Sequence, residues 1–291
     1  MSGYASGIVA ILCINLIFAY AVFITAAAGQ LNLGAAGFQA VGAYAAASFS
    51  NLGWTPGWAT IPAAMAVSGL TGFLLAFPVL RTKGVYMVLA TFAFGEVVSG
   101  ILLQTSLFGG AMGMVVPDYL PLSSLVAGAV FATLLVFFLM ATRFGLALRA
   151  IHDDDLVATV MGVNVRAMQV AVFTIGGALA GLSGALYAHH FSFVEAQYFN
   201  STLSIFVLLF VLIGGTQTAW GPLAGSLFFT LVPETLRIGG SWRFVIFGAA
   251  IVLMMVVRPE GMITRTLVAR FRRRPAAVKP VAITVGEPHV R

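Results

Sequence analysis

Gly7-Ile-Val-Ala-Ile-Leu-Cys-Ile-Asn-Leu-Ile-Phe-Ala-Tyr-Ala-Val-Phe-Ile-Thr-Ala-Ala-Ala28 is an apolar run of about 20 residues, the length an α-helix needs to cross the hydrocarbon of a bilayer. Outward from it, similar runs fall near residues 33–50, 57–80, 85–107, 119–142, 168–190, 203–216, 219–236 and 242–257. They predict about nine membrane segments, within a range of about eight to ten. The seventh and eighth are short; the second is short and rich in Gly and Ala. No stretch sustains the alternation that a membrane barrel needs. The spans are therefore helices, which satisfy their own backbone in lipid. The expected fold is an all-α integral membrane protein, a polytopic helical bundle with broken or short segments.

Composition agrees. Hydrophobic residues make up 60% of the chain and charged residues 8%, against roughly 25% charged in a soluble domain. The net charge of +6 does not point to nucleic acid, because the cations cluster at span ends and in the tail. Cys13 is the only cysteine, so no intrachain disulfide forms. No Lys or Arg precedes the first run, which reads as a retained span rather than a cleaved signal peptide.

The cations also orient the chain. With the N-terminus outside and nine segments alternating, Arg81, Lys83, Arg143, Arg149, Arg166 and everything from Arg258 fall inside. Only Arg237 and Arg243 fall outside. The positive-inside rule favours that direction. Residues 1–264 are expected to form one transmembrane domain, and the basic stretch 265–291 a disordered cytoplasmic tail.

The longest internal loop, 143–166, contains Asp153-Asp154-Asp155-Leu156-Val157-Ala158-Thr159-Val160-Met161-Gly162. Asp153 is read as a helix N-cap, with Asp154 and Asp155 in the first turn complementing the helix dipole. Gly162 suits a left-handed stop. Leu156, Val157, Val160 and Met161 fall on one face of the two turns between. So short a helix needs a surface to dock on: the lipid interface, the protein's own spans, or a groove on a partner protein.

Here a family likeness emerges. Ala147-Leu148-Arg149-Ala150, followed by Ala158-x-x-x-Gly162-x-Asn164, resembles the coupling loop of LivM-type permeases of branched-chain amino acid ABC importers. The general importer loop, Glu-Ala-Ala-x-x-x-Gly, is matched only at Ala158 and Gly162; Leu156 and Val157 stand at its Glu and first Ala. Further likeness lies in Leu31-Asn32-Leu33-Gly34-x-x-Gly37-Phe38, Arg81-x-x-Gly84-x-Tyr86 through Gly95-Glu96, and Gly109-Gly110-x-x-Gly113. Gly214-Gly215, Trp220-Gly221-Pro222 and Arg258-Pro259-Glu260-Gly261 complete the ordered set. It covers about residues 30–265, with a looser likeness to ribose-type permeases. The resemblance implies a bacterial inner-membrane permease for small hydrophobic, branched-chain amino acids. It also implies a LivH-type partner permease, two cytoplasmic ATPase subunits that hold ATP and Mg, and an extracytoplasmic substrate-binding protein. Related permeases carry urea, amides or small organic acids, which keeps those solutes as alternatives. ATPase coupling would fall to Asp153 through Val157, Ala158, Val160, Met161 and Gly162.

Two polar, glycine-bearing interruptions are candidate parts of the path: Gln30, Asn32, Gly34 and Gly37 in one, and Gly214, Gly215, Thr216, Gln217 and Trp220 in the other. Ordinary turns between short helices are the competing reading. Glu96, a carboxylate well inside a span, is expected to face the bundle interior or to be neutral, as a path residue or a polar clamp. The ladders Gly177-x-x-x-Gly181 and Ala180-x-x-x-Gly184 suit close helix packing. His189 and His190 lie at an outer interface without the ligand cluster a metal needs.

No P-loop, nucleophile elbow or His-Glu-x-x-His motif occurs. The chain is expected to hold no cofactor and to leave hydrolysis to partners. A free-standing secondary transporter or a membrane scaffold are the rival classes; the first would need more intramembrane carboxylates than Glu96 alone.

Overall fold

The structure is a computed structural model that describes residues 3–53, 57–235, 248, 249, 251, 252, 256 and 261–263. The run 242–257 falls largely outside them, as do Arg237, Arg243, Arg258 and the tail 265–291.

The described helices are α1 (Gly3–Ala27), α2 (Ala35–Asn51), α3 (Gly57–Val79), α4 (Val85–Gln104), α5 (Leu122–Ala141), α6 (Arg143–Asp153), α7 (Asp155–Val160), α8 (Val165–Phe191), α9 (Ser201–Gly214) and α10 (Trp220–Thr235). Five of them, α1, α3, α4, α5 and α8, are long and apolar enough to cross a membrane. The chain is an all-α polytopic bundle. Its described strands are two short ones on loops: β1 (Met114–Val115) pairs antiparallel with β2 (Phe193–Val194).

Helix α8 is the hub, packed against α1, α2 and α3 together. Its small residues permit that. A Cβ on Gly42 of α2 would lie 2.3 Å from the Gly181 Cα, and one on Gly184 would lie 2.0 Å from the Gln39 carbonyl oxygen. Lipid gives no hydrophobic drive between helices, so close backbone approach and interhelical hydrogen bonds hold them. Gln39 Nε2 donates to Ser183 Oγ at 2.9 Å, and Ser183 Oγ donates to the Ile14 carbonyl at 3.0 Å. The Ser68 hydroxyl shares its proton between the carbonyls of Phe38 and Gly177, at 2.8 and 2.7 Å. The small ladder on α8 is thus a packing surface.

The loops gather on two faces. One carries the α1–α2 link, the α3–α4 turn and the α5–α8 connection, with Gly29 against His152. All five Lys and Arg of the described residues, Arg81, Lys83, Arg143, Arg149 and Arg166, lie there. The opposite face carries β1 and β2. On it Asn51 Nδ2 donates to the Val115 carbonyl at 2.9 Å.

His189 lies near this second face, as its sequence position suggested, and is fully buried there. Its Nδ1 lies 2.9 Å from the Asp118 carbonyl, and its Nε2 lies 2.6 Å from Thr60 Oγ1. Ser50 Oγ donates to the Asp118 carboxylate at 2.9 Å. These bonds fasten the α4–α5 loop to α2, α3 and α8. No group of three metal-ligating side chains occurs among the described residues.

Candidate functional site

The segment 143–166 is a helical surface layer rather than a loop. Helix α6 buries Gly145, Leu148 and Ile151, one residue per turn, against the bundle. Gly145 is required at the corner: a Cβ there would sit 2.4 Å from the Met140 carbonyl oxygen. Helix α6 runs through His152 and ends with Asp153, so Asp153 is not the N-cap of α7. Asp154 takes that position. Its backbone is extended, and its Oδ1 accepts from the amides of Leu156 and Val157 at 2.8 and 3.0 Å. Asp155 alone occupies the first turn of α7. The cap falls at Asp154 because Leu148 and Ile151 hold α6 down until Asp153, and only then is the chain free to turn.

Helix α7 ends as expected. Gly162 has φ +87°. Its amide donates to the Thr159 carbonyl and that of Val163 to the Ala158 carbonyl, both at 3.0 Å. That pair is the Schellman stop. Ala158 is buried, whereas Leu156, Val157, Val160 and Met161 are 73%, 57%, 87% and 80% exposed. A six-residue helix with both ends satisfied thus holds four large apolar side chains to solvent. Lys83 Nζ lies 3.8 Å from Asp155 Oδ2 across an exposed gap, a pair that contributes little stability by itself.

The first interruption joins α1 to α2. Gln30 and Asn32 are each 4% exposed. Asn32 Oδ1 accepts from the Gly34 amide at 2.8 Å, a local turn that starts α2. Leu33 N donates to Thr91 Oγ1 at 3.2 Å, and Ala36 N donates to Ser204 Oγ at 2.8 Å. One of the amides that the start of α2 leaves unpaired, that of Ala36, is thus met by a side chain of α9, and the amide just before the N-cap by one of α4. Gly34 and Gly37 lie against α4: a Cβ on Gly34 would be 2.2 Å from the Thr91 carbonyl oxygen, and one on Gly37 3.0 Å from the Gly95 Cα.

Glu96 lies on the exposed face of α4, not toward the interior of this chain. The buried stripe of α4 is Met87, Thr91, Gly95 and Leu102, and Glu96 is one helical step off it. Its carboxylate accepts a hydrogen bond from the Ser201 hydroxyl. Helix α9 therefore begins beside a point about 16 Å along α4 from Val85, at a rise of about 1.5 Å per residue. That is near the middle of the span.

The second interruption is a tight turn between α9 and α10. Gly215 has φ +115°. A Cβ on Gly221 would lie 1.9 Å from the Gly215 carbonyl oxygen. Met262 N donates to the Ile213 carbonyl at 2.7 Å, Ile263 N to that of Gly214 at 3.1 Å, and Thr218 Oγ1 to that of Ile263 at 3.1 Å. Thr216 and Gln217 are partly exposed, and Trp220 packs edge-on against Phe137 of α5. Gly214 lies about 15 Å along α9 from Ser204, so the two interruptions meet opposite ends of α9. Sequence reasoning missed Thr91, Ser201 and Ser204. The Asn200-Ser201 step before an apolar run was the available signal, and Asn200 Oδ1 does cap Leu203 N at 3.1 Å.

On the opposite face, Tyr187 stacks on Tyr198 with ring centroids 4.6 Å apart. Burial raises the pKa of the Tyr198 phenol.

Comparison with known proteins places this architecture. Residues 4–257 match the family model described as branched-chain amino acid transport system / permease component. The LivM permease proteins of the high-affinity branched-chain amino acid systems of Salmonella typhimurium and Escherichia coli are 30% and 29% identical, over 82% of this chain. The chain spans 64% of the length of these relatives. A guanosine ABC transporter permease protein, NupQ of Bacillus subtilis, is 26% identical over 73% of this chain and 75% of its own length. No solved structure matches.

Proposed function

This chain belongs to the branched-chain amino acid transport system permease family, and on that premise we propose that it is one permease half of an ABC importer for small hydrophobic amino acids. One observation carries the reading. The face that holds every described Lys and Arg also presents α7, capped at both ends, with Leu156, Val157, Val160 and Met161 turned outward. Such a helix is an anchor for a partner groove. The partners are two cytoplasmic ATPases that bind ATP and Mg, a LivH-type permease and an external binding protein. The chain itself performs no chemistry and needs no cofactor.

The cationic face is cytoplasmic and the N-terminus external, as the positive-inside rule requires. The path runs between this chain and its partner permease, beside the exposed face of α4 that carries Glu96. Thr216 and Gln217 at the inner turn are neutral and suit a weakly discriminating route. Gln30, Asn32, Gly34 and Gly37 shape it from behind by fixing the start of α2. Selectivity then resides mainly in the binding protein.

Branched-chain amino acids are the substrate class favoured by the likeness to the two LivM proteins. The test is uptake of labelled leucine into proteoliposomes holding the two permeases and the ATPases, with binding protein outside. Uptake that needs internal ATP supports the reading. Uptake by this chain alone, driven by an ion gradient, would replace it with a secondary transporter.

A further inference from the structure

A cavity of about 1310 Å³ opens between the α1–α2 link, the α3–α4 turn and the α6–α8 connection. Gln30 lines it while 96% buried, and its amide oxygen has no hydrogen-bond partner. Nδ1 of His152, also on the wall, is buried and unpartnered. An unmet buried acceptor is costly, so a donor is wanted at this inner end. The rim holds Arg81, Lys83 and Arg166 against Asp153, Asp154 and Asp155. These formal charges cancel. A purely anionic guest such as a lipid phosphate meets as many carboxylates as cations there, whereas a zwitterion can pair both its ammonium and its carboxylate.

We propose that this cavity binds a free amino acid as a zwitterion from the cytoplasmic side, and that accumulated product thereby slows the transport cycle. The ammonium group donates to Gln30 Oε1 and the carboxylate lies toward the cationic rim. The inference rests on the importer reading above and adds a regulatory site to it. The link to transport is Asp155, which lines the cavity, begins α7 and pairs with Lys83. A guest held there lies against Asp154, the N-cap of α7, as well as Asp155, and so acts on the first turn of the helix proposed to dock the ATPase. The cavity exceeds the usual small-ligand cleft of about 300–1,000 Å³. Its guest stays partly hydrated, and affinity is on the order of millimolar.

The experiment uses the complete importer in proteoliposomes with ATP inside. Initial uptake of labelled leucine is measured with increasing unlabelled leucine, isovalerate or isoamylamine in the lumen. Internal leucine should lower the rate by about fivefold or more. Isovalerate lacks the ammonium and isoamylamine lacks the carboxylate, so neither should act at the same concentration. Gln30→Leu and, separately, Arg166→Gln should raise the half-inhibiting leucine concentration about tenfold, each read against its own rate with an empty lumen. Equal uptake with and without internal leucine would overturn the proposal and leave the importer reading intact. Equal inhibition by isovalerate would also overturn it, because the site would then be one for anions. Absence of any ATP-driven uptake would overturn the importer reading and this inference with it.

Discussion

The Ser201 hydroxyl donates to the Glu96 carboxylate, joining the middle of α4 to the first turn of α9. An ionised side chain at mid-span is costly in lipid unless it finds a partner or a wet surface. Glu96 has both a hydroxyl donor and an exposed position, on the side of α4 that faces away from this chain's core, and we propose that it acts as a clamp.

Glu96→Gln should therefore keep most uptake, since an amide retains a hydrogen bond to Ser201 without the charge. Glu96→Leu should lower the yield of assembled complex severalfold, because it removes the acceptor for a hydroxyl at that depth. Size-exclusion yield and uptake per assembled complex check both. Loss of transport in a normally assembled Gln variant would make Glu96 a residue that the solute needs.

The cap assignment separates neighbouring aspartates. Asp154→Ala should destabilise α7 by about 1 kcal/mol, lowering ATPase affinity severalfold, whereas Asp153→Ala should have a much smaller effect. Binding of detergent-solubilised permease pair to purified ATPase reads the difference. A larger effect of Asp153→Ala than of Asp154→Ala would return the cap to Asp153.

Helix packing gives a stability prediction. Gly42→Val places side-chain atoms where the Gly181 backbone already lies and should cost about 1–3 kcal/mol or more. Thermal aggregation of the purified chain should begin at lower temperature. Gly100→Ala, which meets nothing within 4 Å, is the matched control and should behave as the unmodified chain. If Gly42→Val were equally stable, α2 and α8 could not approach as described.

The proposed sidedness can be tested on the two loop faces. Leu107→Cys lies on a strongly exposed site of the α4–α5 loop, and Met161→Cys on α7. An impermeant maleimide should label the first in intact cells and the second only after permeabilisation. Reversed labelling would invert the topology.

Eight of the nine apolar runs correspond to described helices, because a bilayer demands uninterrupted apolar length and the sequence records it directly. Which side of a span faces in was not legible. Lipid-facing residues are as apolar as buried ones, so α4 shows no periodicity that would place Glu96 outward. Helix α6 escaped notice because Arg143, Arg149 and His152 interrupt its apolar pattern, while only Gly145, Leu148 and Ile151 face the bundle. Three consecutive aspartates are alike as caps, and the packing of α6 decides among them. The burial of His189 depends on Thr60 and Asp118, partners 129 and 71 residues away, a distance over which local pattern is silent.

A crosslink from Val160 tests the coupling role of α7 most directly. Cys13 is the only native cysteine and is buried in α1, so Val160→Cys offers a single accessible thiol for a photoactivated crosslinker. During ATP-driven uptake by the complete importer, that thiol should capture an ATPase subunit, while Gly100→Cys on the exposed face of α4 should not. Intact ATP-driven uptake with no ATPase captured from Val160 would contradict the assignment of α7 as the coupling helix.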